Sequence, residues 1–281
     1  MVKIDCHNGW FKGLGDIVCF AWIGQAMIAA GHEIEFFAQG WRADVLRMFQ
    51  MPVSDLEAGA ITTHHGYEEA IEQGSQLSYV EWIAHHHGIS LSQRAIRPRA
   101  NIMPMDREMG RTAAADVLVF PGGVWSPRVW PKAYYVDIVD RLKTAGINVK
   151  VVLEAIDGDF HFVHCIEGKS LPFVSAAIQK ARLVIGNDSG PAHLAGTLGT
   201  RTIAIHGPTT ERIYAHIPEV TSCRKVSIGC AGCHCLPNKA DHFSGWRKAC
   251  QIGCGELYRT YPEDVYAMAM QALGRQEREA A

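Results

Sequence analysis

Six of the nine cysteines crowd into the last sixty or so residues: Cys223, Cys230, Cys233, Cys235, Cys250 and Cys254. In a reducing compartment, clustered cysteines point to metal ligands before disulfides. Cys230-Ala-Gly-Cys233 and Cys250-x-x-x-Cys254 form two knuckles around a 14-residue insert that follows Cys235. That spacing suits a tetrahedral thiolate site for structural zinc or iron, made by Cys230, Cys233, Cys250 and Cys254, with Cys235 as an alternative ligand and His234 and Cys223 as further candidates. Four thiolates fill the shell and leave no open position, so no catalytic metal is expected. Unliganded buried cysteines are the competing reading.

Two glycine-containing stretches offer a different chemistry. Gly13-Leu14-Gly15-Asp16 precedes an apolar helical pattern, and Gly186-Asn187-Asp188-Ser189-Gly190-Pro191-Ala192-His193 follows an apolar run. Glycines let backbone approach a ligand, and the helix that follows offers unpaired N–H groups to an anion. In the first stretch Asp16 either brings a carboxylate to a cleft or caps its own helix. In the second, Asp188 or Ser189 suits the N-cap and Pro191 the first turn, where a missing N–H costs nothing. The N–H groups near Ser189 and Gly190, with the helix dipole, suit a phosphate or pyrophosphate. His193 lies one turn in, either facing the same ligand or packed in the core. Neither stretch is a P-loop, and Gly-x-Gly-Asp lacks the third glycine of the dinucleotide fingerprint.

The elements that must hold these loops alternate between strand and helix. Val2–Cys6 and Ile34–Ala38 have strand character, Asp16–Ala30 and Arg42–Phe49 helical character, and Gly31 stands as a C-cap. Glu68–Gly88 has weaker helical character, while Pro98 and Pro104 argue against a continuous helix from Arg94 to Arg111. Beyond that, Asp116–Phe120, Asn148–Leu153, Leu183–Ile185 and Arg201–Ile205 are expected strands. Lys132–Ala145, Pro172–Lys180 and Pro191–Leu198 are the expected helices between them. Such alternation predicts parallel α/β architecture, with ligands at the carboxyl ends of the strands. The expected division is a small domain over 1–112 and a larger one over 113–281, the latter carrying the cysteine cluster at 223–254.

Four stretches together resemble glycosyltransferase family 9, the heptosyltransferases of bacterial cell-envelope synthesis. They are Gly13-Leu14-Gly15-Asp16, Ser126-Pro127-Arg128-Val129-Trp130-Pro131, Asn187-Asp188-Ser189-Gly190-Pro191-Ala192-His193-Leu194-Ala195 and Gly207-Pro208-Thr209. The resemblance implies a GT-B fold, with two Rossmann-like domains facing a cleft: the N-terminal one for the acceptor, the C-terminal one for the nucleotide-sugar. It implies Asp16 as catalytic base for inverting transfer to an acceptor hydroxyl. Gly15, Arg128, Asp188, Ser189, Gly190, His193 and Thr209 would form the donor and phosphate site. Arg128 stands where the family often has Lys, keeping the charge and adding a bidentate fork. The cysteine cluster resembles that of the branch glycosylating autotransporter proteins, where it binds iron.

The implied donor is a nucleotide sugar, with ADP-activated heptose favoured. The implied acceptor is a glycan or a protein side chain, because the first domain is short for a lipid-linked core oligosaccharide; a modified nucleobase is also compatible. A sugar-nucleotide epimerase on the same fold and a non-enzymatic metal-thiolate module are the alternatives. With 281 residues, 48% hydrophobic and 20% charged, the chain can form a substantial core. A net charge of −2 speaks against a broad nucleic-acid surface. The longest mostly apolar stretch, Ile17–Ala30, is short of the roughly 20 residues a membrane span needs, so a cytoplasmic protein is expected.

Paired and tripled histidines at His64-His65 and His85-His86-His87 are expected on the surface rather than as metal ligands. Trp125, Trp130 and Tyr134 fit the edge of a core better than a stacking platform. Arg94, Arg97, Arg99, Arg107 and Arg111 form a local basic stretch.

Overall fold

The computed structural model describes residues 2–6, 13–55, 61–62, 77–86, 97–123, 128–155, 157–207, 211–214, 216–223 and 255–275. The chain divides into two compact units: residues 1–103 with 212–218, and residues 104–211 with 219–281.

The first unit holds a four-stranded, all-parallel sheet in the order β3-β2-β1-β4, built from β1 (Val2–Asp5), β2 (Ile34–Phe37), β3 (Val53–Ser54) and β4 (Ile61–Thr62). Helix α1 (Leu14–Ala29) joins β1 to β2, α2 (Trp41–Met48) joins β2 to β3, and α3 (Tyr79–His86) packs against α1. Ten residues of α1 are buried, from Ile17 to Met27, on every face of the helix. A helix that is apolar all round belongs in an interior, not at a surface. Gly31 ends α1 with φ +83°: its N–H donates to Ile28 O and that of His32 donates to Met27 O. This is a Schellman stop that only a residue tolerating the left-handed region makes cheaply. The returning segment 212–218 buries Tyr214 and Ile217 and sets the His216 ring 5.3 Å from Trp22, edge to face.

The second unit is larger. Its six parallel strands are β5 (Val117–Phe120), β6 (Val149–Leu153), β7 (His164–Glu167), β8 (Leu183–Asn187), β9 (Thr202–Ile205) and β10 (Val220–Cys223). They lie in the order β10-β9-β8-β5-β6-β7. Counted along this unit, the spatial order is 3-2-1-4-5-6, the dinucleotide-fold order, with its reversal between β5 and β8. Strands β5, β8 and β9 are buried along their whole lengths, as parallel strands covered on both faces must be. Helices α4 (Pro104–Thr112), α5 (Lys132–Thr144), α6 (Leu171–Lys180), α7 (Gly190–Thr197), α8 (Gly255–Arg259) and α9 (Pro262–Ala272) complete the unit. Tyr135, Ile138, Val139 and Leu142 of α5 meet Val265, Ala269 and Met270 of α9 in one core over β5 and β6.

The compact division after Met103 places α4 with the second unit, ahead of the boundary expected at 112/113. The reason is a close helix crossing: a Cβ on Gly110 would lie 2.4 Å from Ala176 Cβ, so α4 seats directly on α6. Pro104 opens α4 rather than breaking it, since the first turn needs no proline N–H. Among the described residues no helix is long and apolar enough to cross a membrane.

Candidate active site: a donor loop at the sheet reversal and a carboxylate in the first unit

Where strand order reverses in an open parallel sheet, the loops leaving the two central strands part and open a crevice. Here those loops follow β5 (Pro121-Gly122-Gly123) and β8 (Asp188-Ser189-Gly190). The second is the stretch the sequence selects for an anion.

Asn187, the last residue of β8 and 1% exposed, joins the two loops. Its Oδ1 accepts from the Trp130 N–H and the Tyr135 hydroxyl, each at 2.8 Å, while Nδ2 donates to Gly122 O at 3.0 Å and to Pro121 O at 3.5 Å. The amide orientation follows from its neighbours: two donors face one end and two carbonyls the other. Burial pushes the Tyr135 phenol well above its ordinary pKa, so it stays protonated and able to donate.

Asp188 follows, its side chain wholly buried, with its Oδ2 3.7 Å from a terminal guanidinium nitrogen of Arg128. A buried carboxylate without a partner is costly, so the pair holds Arg128 at the loop as well as Asp188 in it. Ser189 occupies the N-cap of α7 with extended backbone, yet its hydroxyl donates backward to Asn187 O at 3.2 Å instead of capping the helix. Pro191 stands in the first turn, as expected. The first N–H groups of a helix have no partner within it, so an N-cap side chain turned away leaves the α7 start suited to an anion.

His193 is 4% exposed, and burial lowers its pKa to about 4. Asp188 opposes that shift, while Arg128 and His206 add to it. His193 is therefore a neutral imidazole at neutral pH, and Arg128 carries the positive charge of this loop. His206, just past β9, is also fully buried, with Nε2 3.2 Å from Ser222 Oγ. Trp130 is buried as well; its indole N–H donates to Thr260 O at 2.8 Å and its ring meets Tyr134 and Tyr135 edge to face. It belongs to the core edge, not to a stacking platform.

In the first unit, Gly15 lies in the first turn of α1 beside Asp16. The Gly13 N–H donates to Asp16 Oδ2 at 3.0 Å, so the carboxylate does close the helix start. Nearby, the buried Cys6 thiol is pushed well above its usual pKa, by burial first and then by Asp5 and Asp16, with Arg42 pulling the other way. Asp5, Cys6, Asp16 and Arg42 thus gather where β1 ends. Thr209, Cys230, Cys233, His234, Cys235, Cys250, Cys254 and Trp125 lie outside the described residues.

Asn187, Tyr135 and His206 carry no role in the sequence reading. Asn187 had a signal available: a polar amide ending an otherwise apolar strand must find partners when buried. Tyr135 and His206 had none, since nothing local shows what they face.

A six-stranded sheet in this order, with a glycine-rich helix start and an arginine at its reversal, defines a nucleotide-binding α/β protein. The family model for glycosyltransferase family 9 (heptosyltransferase) matches residues 64–242, well over half the chain; the protein belongs to that family and is a glycosyltransferase. Its fold is similar to that of E. coli ADP-heptose lipopolysaccharide heptosyltransferase II, at 14% identity and TM-score 0.61 over 97% of this chain and 98% of that one. It is also similar to the iron-containing, dodecameric heptosyltransferase TibC of enterotoxigenic E. coli in complex with ADP-D-β-D-heptose, at 14% identity and TM-score 0.70 over 97% of this chain and 76% of that one. E. coli heptosyltransferase WaaC with ADP aligns at 15% identity and TM-score 0.61 over 96% and 99% of the two chains. At these identities the likeness is one of fold. No curated protein matches the chain in sequence.

Proposed function

We propose that the protein is an inverting glycosyltransferase that moves a sugar, favoured as heptose, from an ADP-activated donor to a hydroxyl acceptor. The observation that carries this reading is the Asn187-Asp188-Ser189-Gly190 loop at the sheet reversal, with its uncapped helix start and Arg128 paired to Asp188. Family membership and structural neighbours that hold ADP or ADP-heptose support the donor class.

In the proposed reaction Asp16 takes the proton of the acceptor hydroxyl as its oxygen attacks the anomeric carbon. The bond from that carbon to the diphosphate breaks on the opposite face, and the nucleoside diphosphate leaves. Its developing charge falls on the backbone N–H groups around Ser189 and Gly190 and on the guanidinium of Arg128, which are fixed before reaction. Arg128 offers two parallel N–H donors to one phosphate, which a lysine would not. His193, being neutral, contributes at most a single imidazole N–H. Thr209 is assigned to the same subsite. Within this reading the first unit carries the acceptor, a glycan or protein side chain, and the second the donor.

The cysteines extend the proposal. Cys230, Cys233, Cys250 and Cys254, or Cys235 in place of one of them, would hold one structural zinc or iron. Their spacing supports this, as does the iron-containing neighbour. Metal analysis of gently purified protein should give about one ion per chain; a metal-free protein of full activity would remove the site.

Titration calorimetry with ADP, UDP and GDP tests the donor reading. ADP binding is expected, with anomeric inversion in the product when ADP-heptose is turned over. Absence of affinity for all three nucleotides would favour a metal-thiolate module, and conversion of the sugar-nucleotide without transfer would favour an epimerase.

A further inference from the structure

Resting on the donor-site reading above, we infer that Asn187 is the positioning residue that sets Arg128 for the diphosphate, acting across the sheet reversal with Tyr135 as its support. Two consecutive residues at the end of β8 grip the opposite loop at neighbouring points. Asn187 Oδ1 receives the Trp130 N–H at 2.8 Å, and Asp188 Oδ2 lies 3.7 Å from the Arg128 guanidinium. Arg128 and Trp130 are only two residues apart, so the carboxylate fixes the side chain while the amide fixes the backbone that carries it.

The other end of the same loop is held by the same amide, through Nδ2 to Gly122 O and Pro121 O. Packing there is tight: a Cβ on Gly123 would sit 2.9 Å from Val129 Cγ2 and 3.7 Å from Asn187 Nδ2. One buried side chain therefore spans the entry and exit of the segment from Pro121 to Trp130.

The ion pair alone would not give this order. A contact of 3.7 Å with a partly exposed arginine holds the end of the side chain, not the backbone from which it springs. Hydrogen bonds to a buried amide are stronger and directional, and a network whose members are all paired fixes a single arrangement. Tyr135 contributes because its protonated hydroxyl supplies the second donor to Oδ1, locking the amide against rotation by half a turn. Asn187 does not touch the ligand in this account. It lowers the cost of ordering Arg128, which would otherwise be met from the binding energy.

The test is a double-mutant cycle read by ADP affinity in calorimetry, with thermal melting run beside it. Asn187→Ser should weaken ADP binding about tenfold, and Arg128→Ala by a comparable amount. The double variant should bind no worse than Arg128→Ala alone, because an amide that acts only through Arg128 has nothing left to position. A role limited to stability lowers the melting temperature of Asn187→Ser but leaves the affinity of its folded fraction at the wild-type value, and that result overturns the inference. So does additivity of the two affinity losses. Should Asn187→Ser not fold, Tyr135→Phe removes a single hydroxyl. It is expected to weaken ADP about two- to threefold, and again only while Arg128 is present. A wild-type protein that binds none of ADP, UDP and GDP overturns the donor-site reading itself. Additive losses in a protein that binds ADP overturn only the role of Asn187.

Discussion

Both units start a helix just after a parallel strand and near a glycine, but they finish that start in opposite ways. At α1 the chain satisfies itself: the Asp16 carboxylate turns back and accepts the Gly13 N–H. At α7 the N-cap hydroxyl turns away, Ser189 Oγ bonding Asn187 O, and the nearest carboxylate is occupied with Arg128. A helix start closed by its own negative charge repels an anion; one whose capping hydroxyl turns away, with a cation beside it, favours one. Glycine content is thus a poor guide to phosphate binding, and the direction taken by the capping side chain is a better one. The contrast supports the proposed division, with carboxylate chemistry in the first unit and diphosphate chemistry in the second.

The largest effect expected from breaking this division is Asp16→Asn. Asparagine keeps an oxygen for the Gly13 N–H, so stability should fall by no more than about 1 kcal/mol. Turnover should drop about 10²- to 10⁴-fold, the range general-base catalysis supplies. ADP affinity should stay within about twofold, since the donor loop lies in the other unit. Steady-state transfer assays and calorimetry on one preparation check both halves. Wild-type turnover in Asp16→Asn would reduce Asp16 to a cap and leave the first unit without its chemistry.

A second effect concerns which group of the second unit holds the charge. Burial keeps His193 neutral down to about pH 4, against about 6.5 when unfolded. Between those values the unfolded chain binds a proton that the folded chain does not. Stability therefore falls as pH drops from about 6.5 towards 4 and loses nothing further to this group below that. Integrated from pH 7.5 to pH 5, the loss is about 2 kcal/mol. His193→Gln has no such titration, so urea unfolding at the two pH values should show the wild type losing about that much more than the variant. Equal losses would mean that His193 titrates in the folded chain as in the unfolded one, and that the loop gains a second cation below about pH 6.5.

These contrasts show what the amino-acid pattern does and does not carry. Strands β5, β8 and β9 are legible as short apolar runs bounded by turn residues and β6 by its β-branched content around Lys150, and α5, α6 and α7 because they lie between strands. The loop from Asn187 to His193 was legible because its glycine, proline and capping residues are local signals. Strand β7 escaped notice: His164-Cys165-Ile166-Glu167 is an edge strand of mixed polarity, and its placement depends on pairing with β6. Helix α4 is obscured because Pro98 and Pro104 read as breaks, whereas Pro104 opens the helix; its seating by Gly110 on α6 is a long-range contact that the local pattern does not record. The spacing identified Asp16 and Ser189 equally well as capping candidates, yet only Asp16 caps. Hydroxyl direction is settled here by a local competitor, the Asn187 carbonyl two residues back, which accepts the Ser189 O–H.

That last distinction yields the smallest and sharpest test. A serine that caps a helix loses about 1 kcal/mol when replaced by alanine, because an N–H group of the first turn loses its acceptor. Ser189 spends its hydroxyl on Asn187 O, a carbonyl whose strand already places it, so the loss in Ser189→Ala should stay within about 0.5 kcal/mol by urea unfolding. The same replacement logic applied at the other helix start, Asp16→Ala, should cost about 1 kcal/mol, since the Gly13 N–H then loses its partner and the helix its favourable charge. The difference between the two losses measures how far each helix start is already closed by its own side chain. If Ser189→Ala costs as much as Asp16→Ala, the hydroxyl caps α7 in solution and the contrast between the two helix starts fails.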